Sequence, residues 1–157
     1  MIIRKGRKED LKSAMELVKE LAVYENALHE VKNTVKEMEK DGFGPNPVFD
    51  FFVAENDNGI IGMSLYYYRY STWKGKILYI EDLIVSEKYR RSGAGSRLME
   101  ASILEAKKQN CNGVQWQVLD WNEPAIKFYK KYNPAQDPEW VNFRMDKEQL
   151  QNYKSSS

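Results

Sequence analysis

The stretch from Ile77 to Ala106 constrains the fold more than any other part of this chain. Ile77-Leu78-Tyr79-Ile80-Glu81-Asp82-Leu83-Ile84-Val85 is an apolar, β-rich run interrupted only by two adjacent carboxylates, and it reads as a strand. A polar segment, Ser86 to Ser92, leads into Gly93-Ala94-Gly95-Ser96. Helical spacing then sets in over 96–109, with Leu98, Met99, Ser102, Ile103 and Ala106 on one face. The order is therefore strand, basic glycine loop, helix. Glycines let backbone N–H groups converge on an anion, and the following helix N-terminus adds its dipole. Lys88, Arg90, Arg91 and Arg97 give the segment a positive potential suited to phosphates. A glycine pair alone is better explained as a tight turn with solvated arginines. Two phosphate-binding alternatives fail. No G-x-x-x-x-G-K-[ST] is present, and the dinucleotide fingerprint needs a third glycine where Leu98 stands, in an opening βαβ unit. What remains is Arg90-x-x-Gly93-x-Gly95 after a strand.

The rest of the chain arranges itself around this centre. Ile2-Ile3 is a short strand, and Asp10 precedes a helical pattern of Leu11, Met15, Val18, Leu21 and Ala22. Thr34-x-x-Glu37 is a capping-box signature for a second helix that closes at Asp41-Gly42, before a Gly/Pro loop at 42–47. Strands at 51–55 and 60–70 flank the turn Asn56-Asp57-Asn58-Gly59, and with 76–85 they form an antiparallel meander. Beyond it, 113–119 reads as a strand, 123–132 as a helix and Trp140 to Met145 as a last strand. A frayed polar tail follows from about 147 to Ser157. The expected architecture is one α/β (α+β) domain over 1–157, a mixed, mostly antiparallel sheet flanked by helices. Tyr66-Tyr67-Tyr68 alternates across the two sheet faces and reads as packing, Trp73 as a hydrophobic plug and Trp140 as a strand anchor.

Composition narrows the function. In 157 residues, 24 Lys and Arg face 23 Asp and Glu, a net charge of +1. That balance excludes a globally basic nucleic-acid binder, and the basic residues concentrate at one loop instead of along a helix face. The single Cys111 has no internal disulfide partner, which points to a reducing, cytoplasmic setting. One Cys and one His29 are too few for a structural zinc site, and no metal is expected. The N-terminus lacks the apolar run of a signal peptide, and no stretch approaches the roughly 20 apolar residues of a membrane span.

Arg90-x-x-Gly93-x-Gly95 resembles the acetyl-CoA pyrophosphate loop of the GNAT N-acetyltransferases. Trp121-Asn122-Glu123-Pro124-Ala125-Ile126-Lys127-Phe128-Tyr129 resembles the second motif of that superfamily, an Asn followed by a helix carrying a Tyr. Lys19 to Glu25, Asp41 to Gly44, Leu78 to Asp82 and Trp121 to Pro124 look more narrowly like the diamine (spermidine/spermine) acetyltransferase family, whose near relatives acetylate thialysine. The resemblance runs from about Ile3 to Asp146. It departs at Lys130-Lys131-Tyr132-Asn133-Pro134, where the family has a short basic stretch and a glycine. The resemblance implies acetyl-CoA as co-substrate, a small cationic amine as acceptor and a homodimer.

Acyl transfer to an amine poses three problems. A lysine-like amine, with a pKa near 10.4, arrives protonated and cannot attack. The thioester oxygen gains negative charge, and the departing thiolate benefits from a proton. Glu81 and Asp82 are the carboxylates at the expected site, and strand alternation turns neighbours to opposite faces, so they need not share a role. One solvated and one loop-capping carboxylate is the plain alternative. The resemblance implies that Glu81 draws off the amine proton, through a water, while Asp82 helps to bind the cation. Carboxylates beside an ammonium concentrate substrate but also hold it protonated, a conflict that a water relay resolves. The resemblance also implies N–H groups at Leu83, Ile84 and Val85 splayed open to the thioester oxygen. It assigns Tyr129 as general acid, where spacing alone gives a core-facing aromatic. Asn122, Pro124 and Ala125 would contact the cofactor, as would Arg90, Arg91, Ser92, Gly93, Ala94, Gly95 and Ser96.

The amine pocket is assigned to Tyr24 and Glu25 at the end of the first helix, with Trp116 and Gln117 bordering it. An amino-acid acceptor would further require a cation for its carboxylate. Arg69, Lys74 and Arg144 are candidates that the sequence does not place. The expected activity is direct acetyl transfer, within a ternary complex, to a polyamine or a lysine-like amino acid. A peptide N-terminal acetyltransferase and a non-catalytic acyl-CoA-binding module are the alternatives, the last disfavoured by Glu81, Asn122 and Tyr129 occurring together.

Overall fold

The computed structural model describes residues 1–156. It contains strands β1 (Ile2–Lys5), β2 (Asp50–Asn56), β3 (Gly59–Ser71), β4 (Gly75–Val85) and β5 (Val114–Trp116). The helices are α1 (Leu11–Tyr24), α2 (Val35–Phe43), α3 (Ala94–Lys108), α4 (Glu123–Lys130) and α5 (Lys147–Asn152). They belong to two compact units, Met1–Gln117 and a second from Val118 onward.

In the first unit the strands form one sheet in the order β1-β2-β3-β4-β5. All neighbours are antiparallel except β4 and β5, which run parallel. The expected mixed sheet flanked by helices is thus the observed one. Apolar side chains at helical spacing on α1 (Leu11, Met15) pack with Met38 of α2 on Phe51, Val53, Met63, Leu65 and Ile84. The opposite face carries α3, whose Ala94 and Leu98 meet Ala54 and Ile61, with Leu83 and Val85 beside them. A buried hydroxyl pair, Ser64 Oγ to Ser102 Oγ at 2.8 Å, satisfies the two polar groups at that helix–sheet contact. The hairpin turn is the expected one, with Asp57-Asn58 at its tip and Gly59 at φ +102°. Thr34 caps α2 through its hydroxyl, which accepts from the Glu37 N–H.

In the second unit, Asn122 caps α4 by accepting the Ala125 N–H at 3.3 Å. Phe128 sits edge-on to Tyr129 and Tyr132, 5.2 and 5.8 Å between ring centres. Asn133, at φ +51°, takes a left-handed position after α4, a conformation Asn tolerates.

Four expectations are corrected. The strand expected at 113–119 pairs only over Val114–Trp116. Trp140 to Met145 forms no strand: it alternates like one, but lies in no ladder, and Trp140 is 80 % and Phe143 94 % exposed, so Trp140 is not a strand anchor. The tail expected to be frayed carries α5, because Asp146 and Gln149 form a reciprocal capping box at 2.8 and 3.0 Å; Ser157 lies outside the described residues. Trp73 is no plug, since it is 94 % exposed at the tip of the β3–β4 hairpin.

Candidate active site

The decisive local feature is an extra residue in β4. Ile80 pairs with Tyr66 and Asp82 with Leu65, leaving Glu81 between them without a partner in β3. A bulge of this kind re-aims side chains. Before it, Tyr79 pairs with Tyr67 and their rings lie 5.4 Å apart on the α1 side of the sheet. Glu81 keeps to that side, its Oε2 accepting the Tyr67 hydroxyl at 3.1 Å. Asp82 pairs with Leu65, whose side chain is in the α1 core, so it faces the same way. The expected opposition of Glu81 and Asp82 is therefore corrected: the bulge turns both to one face.

Glu25, just past the end of α1, completes the cluster. Burial, with the charges of Glu81 and Glu25, pushes the Asp82 carboxyl up to about 6. Burial also raises Glu25 above the usual carboxylate range. Three carboxylates sharing a half-buried site favour a cation in their midst.

Past the bulge, the sheet opens. The parallel ladder with β5 stops at Ile80 and Trp116. The Ser86 N–H donates to Ile61 C=O at 2.9 Å, so by alternation the Ile84 N–H also faces β3, while those of Leu83 and Val85 point away from it. Ile84 puts its side chain in the α1 core. Of the three backbone groups expected to be splayed, the geometry turns Leu83 and Val85 to the open edge.

β4 then runs into the glycine loop. Arg91 and Gly93 adopt positive φ, +65° and +84°, and α3 begins at Ala94. The first intrahelical bond comes from Arg97 N–H to Gly93 C=O at 3.1 Å, so the N–H groups of Ala94, Gly95 and Ser96 precede it at the positive end of the helix dipole. Ser92 Oγ lies 3.4 Å from the Ala94 N–H. Arg90 and Arg91 are exposed, and the Arg90 guanidinium stacks over the Tyr24 ring at 5.1 Å, joining loop to helix end. Arg97 instead donates to the Met1 carbonyl at 2.7 Å. The donor set of backbone N–H groups and exposed guanidinium groups fits a pyrophosphate.

Trp116 pairs with Ile80 and Gln115 with Tyr79, so Gln115 shares the face of Tyr67 and Tyr79, whereas Gln117 lies just past the strand. Asn122, Pro124, Ala125 and Tyr129 are all in the second unit; Asn122 spends its oxygen on its own helix and keeps its amide donors. Sequence reasoning missed Tyr67, which orients Glu81, and Glu20. The Glu20 Oε1 accepts the Glu87 N–H at 2.6 Å and the Ser86 hydroxyl at 3.3 Å, pinning the loop to α1. Neither carries a local signal, since both act on residues distant in sequence. Among the described residues no cluster of His, Cys, Asp and Glu is suited to a metal ion, and no helix is long and apolar enough to cross a membrane.

A mixed sheet that opens beside a strand bulge and feeds a cation-rich helix N-terminus is the architecture of an acyltransferase. Residues 13–133 match the acetyltransferase (GNAT) family, and the chain belongs to that family. It is 35% identical to the thialysine N-epsilon-acetyltransferase of Mus musculus, over 94% of each chain. It is 32% identical, over 94% of its length, to the human spermidine/spermine N(1)-acetyltransferase-like protein 1, of which the match spans 23%. Among solved structures, the aminoglycoside acetyltransferase meta-AAC0020 from an uncultured soil sample shares the fold, with a TM-score of 0.75 at 21% identity, covering 92% of this chain and 95% of that one. The protein is an N-acetyltransferase.

Proposed function

We propose that the protein transfers the acetyl group of acetyl-CoA directly to the primary amine of a small cationic acceptor, a polyamine or a lysine-like amino acid. The observation that carries this reading is the bulge, which sets Glu81 and Asp82 on one face beside Glu25, next to the open backbone of Leu83 and Val85. Acetyl-CoA supplies the acyl group as a thioester. Arg90, Arg91, Ser92, Gly93, Ala94, Gly95 and Ser96 hold its pyrophosphate, with Asn122, Pro124 and Ala125 as further contacts. Asp82 and Glu25 hold the ammonium, with Tyr24, Trp116 and Gln117 lining the acceptor site. Glu81 takes the amine proton through a water, and the N–H groups of Leu83 and Val85 stabilise charge on the acyl oxygen. Tyr129 returns a proton to the departing sulfur. The chain is read as one catalytic domain over 1–157, active as a cytoplasmic homodimer; the relatives' names support the acceptor class.

The test is thiol release from acetyl-CoA across spermidine, lysine and thialysine, for the wild type and Tyr129→Phe. Amine-dependent release is expected, with kcat of the variant lowered about a hundredfold and the KM for acetyl-CoA unchanged. Acetyl-CoA binding without release for any small amine overturns the acceptor class; an unchanged kcat removes Tyr129 from the acid role.

A further inference from the structure

We infer that Arg69 recognises a carboxylate on the acceptor, so that the substrate is a lysine-like ω-amino acid and not a polyamine. This rests on the reading above in which Glu81 and Asp82 receive the amine. Arg69 lies two residues from Tyr67 on β3 and therefore on the same face. Its guanidinium reaches back along the sheet to stack over the Tyr79 ring, with Cζ 5.0 Å from the ring centre. Tyr79 packs on Tyr67, and Tyr67 holds Glu81. One face of the β3–β4 pair thus presents, in order, a cation, an aromatic floor and the carboxylates.

The spacing suits a molecule charged at both ends. Tyr79, under the guanidinium, and Glu81 are two residues apart along β4, roughly 7 Å at strand rise. A lysine-like amino acid spans such a gap extended, its carboxylate on Arg69, its methylene stem on the tyrosine rings and its ω-ammonium at Glu81 and Asp82. Stacked over a ring, the guanidinium keeps its N–H edge for a bidentate carboxylate, and among the described residues no ion pair occupies it. A polyamine would instead bring a second positive charge to Arg69. The other candidate cations are placed differently. Lys74 sits in the hairpin turn, its N–H on Ser71 Oγ at 3.1 Å, about six strand residues and 20 Å from the Leu65–Asp82 pair. Arg144 belongs to the second unit.

The test compares lysine and thialysine with 1,5-diaminopentane, which is lysine without its carboxylate, in acetyl-CoA-dependent thiol release. The wild type is expected to favour the amino acids at least tenfold in kcat/KM. Arg69→Gln should lower kcat/KM for the amino acids about ten- to hundredfold, through KM, while diaminopentane turnover holds or rises and so reports intact folding. Arg69→Lys, which keeps the charge and loses the fork, should recover part of the loss. A wild type that favours diaminopentane, or an Arg69→Gln variant that weakens both acceptors equally, overturns the inference alone. If Glu81→Gln leaves every acceptor unaffected, or the wild type acetylates none of them, the underlying reading fails and the role of Arg69 with it.

Discussion

The Tyr67 hydroxyl donates to Glu81 Oε2 at 3.1 Å, and the accepting residue is the one that has no partner in the β3–β4 ladder. A bulged residue is free to swing, so this contact is what fixes the direction of the carboxylate assigned to the amine proton. Tyr67→Phe keeps the ring on Tyr79, 5.4 Å away, and deletes only the donor. Acetyl transfer should fall about three- to tenfold in kcat/KM, the value of one hydrogen bond near 1 kcal/mol. The melting temperature should stay within the range of ordinary surface substitutions. Undiminished turnover would show that Glu81 is held by other means.

If Asp82 holds the acceptor as proposed, the protein's stability and its acceptor affinity should depend on pH in opposite senses. Its carboxyl sits at about 6 against an ordinary 3.8, first through burial and then through Glu81 and Glu25. The folded chain therefore binds this proton more tightly than the unfolded one. Stability from this group is full below about pH 4, declines as pH rises toward 6, and above that the buried charge is a net cost. Asp82→Asn should raise stability at pH 7 by about 1–2 kcal/mol, allowing for solvent screening, and match the wild type below pH 4. Acceptor binding runs the other way. Protonating Asp82 removes an attracting charge, so the KM for the amine should climb as pH falls from 7 to 5. Melting curves and acceptor titrations across that range check both; a flat difference between variant and wild type would contradict the assignment.

Glu20 couples α1 to the loop that follows β4, through the Glu87 N–H at 2.6 Å and the Ser86 hydroxyl at 3.3 Å. Glu20→Ala should cost about 1 kcal/mol, or roughly 2–4 °C in Tm. It should raise the KM for acetyl-CoA several-fold and spare kcat at saturation, because the loop is loosened and the reacting groups are untouched. Glu20→Gln, which retains an acceptor, should fall between. Equal melting curves and kinetics for all three proteins would refute the coupling.

What could be read in advance was what local pattern determines. The Arg90-x-x-Gly93-x-Gly95 loop, the Asp57-Asn58 hairpin and the apolar stripe of α1 each depend on residues a few positions apart. The bulge at Glu81 depends on which β3 residue lies opposite, a pairing between residues 14 to 17 apart that leaves no mark in β4 itself. For the same reason the placement of Arg69 over Tyr79 was invisible, although Arg69 was already a candidate cation. Trp140 to Met145 misled through its alternation, which is necessary for a strand but not sufficient without a neighbouring edge. The pattern Asp146-x-x-Gln149 is a local capping box that marks the start of α5, although its polar composition reads as a frayed tail instead.

Gly93 separates the conformational demand of the loop from its packing. At φ +84° it occupies the left-handed region immediately before α3, yet a methyl group added there would meet nothing within 4 Å. Gly93→Ala therefore tests backbone conformation alone, with a strain of about 1–2 kcal/mol. That strain has two outlets. If the loop keeps its shape, the whole cost appears as a Tm lower by several degrees with acetyl-CoA kinetics unaltered. If the residue relaxes toward negative φ, the Ala94, Gly95 and Ser96 N–H groups lose their common direction, and pyrophosphate binding weakens. The second outcome is expected, because the loop is exposed and Arg91 beside it already holds φ +65°. The KM for acetyl-CoA should rise about tenfold with little change in Tm, and Gly93→Asn, which tolerates the left-handed region, should recover much of the affinity. Isothermal titration of acetyl-CoA into the three proteins, read with their melting temperatures, distinguishes the outlets: an unchanged affinity with a lower Tm means that the loop keeps its shape, and an affinity and Tm both indifferent to Gly93→Ala would show that the left-handed position makes no demand on the loop.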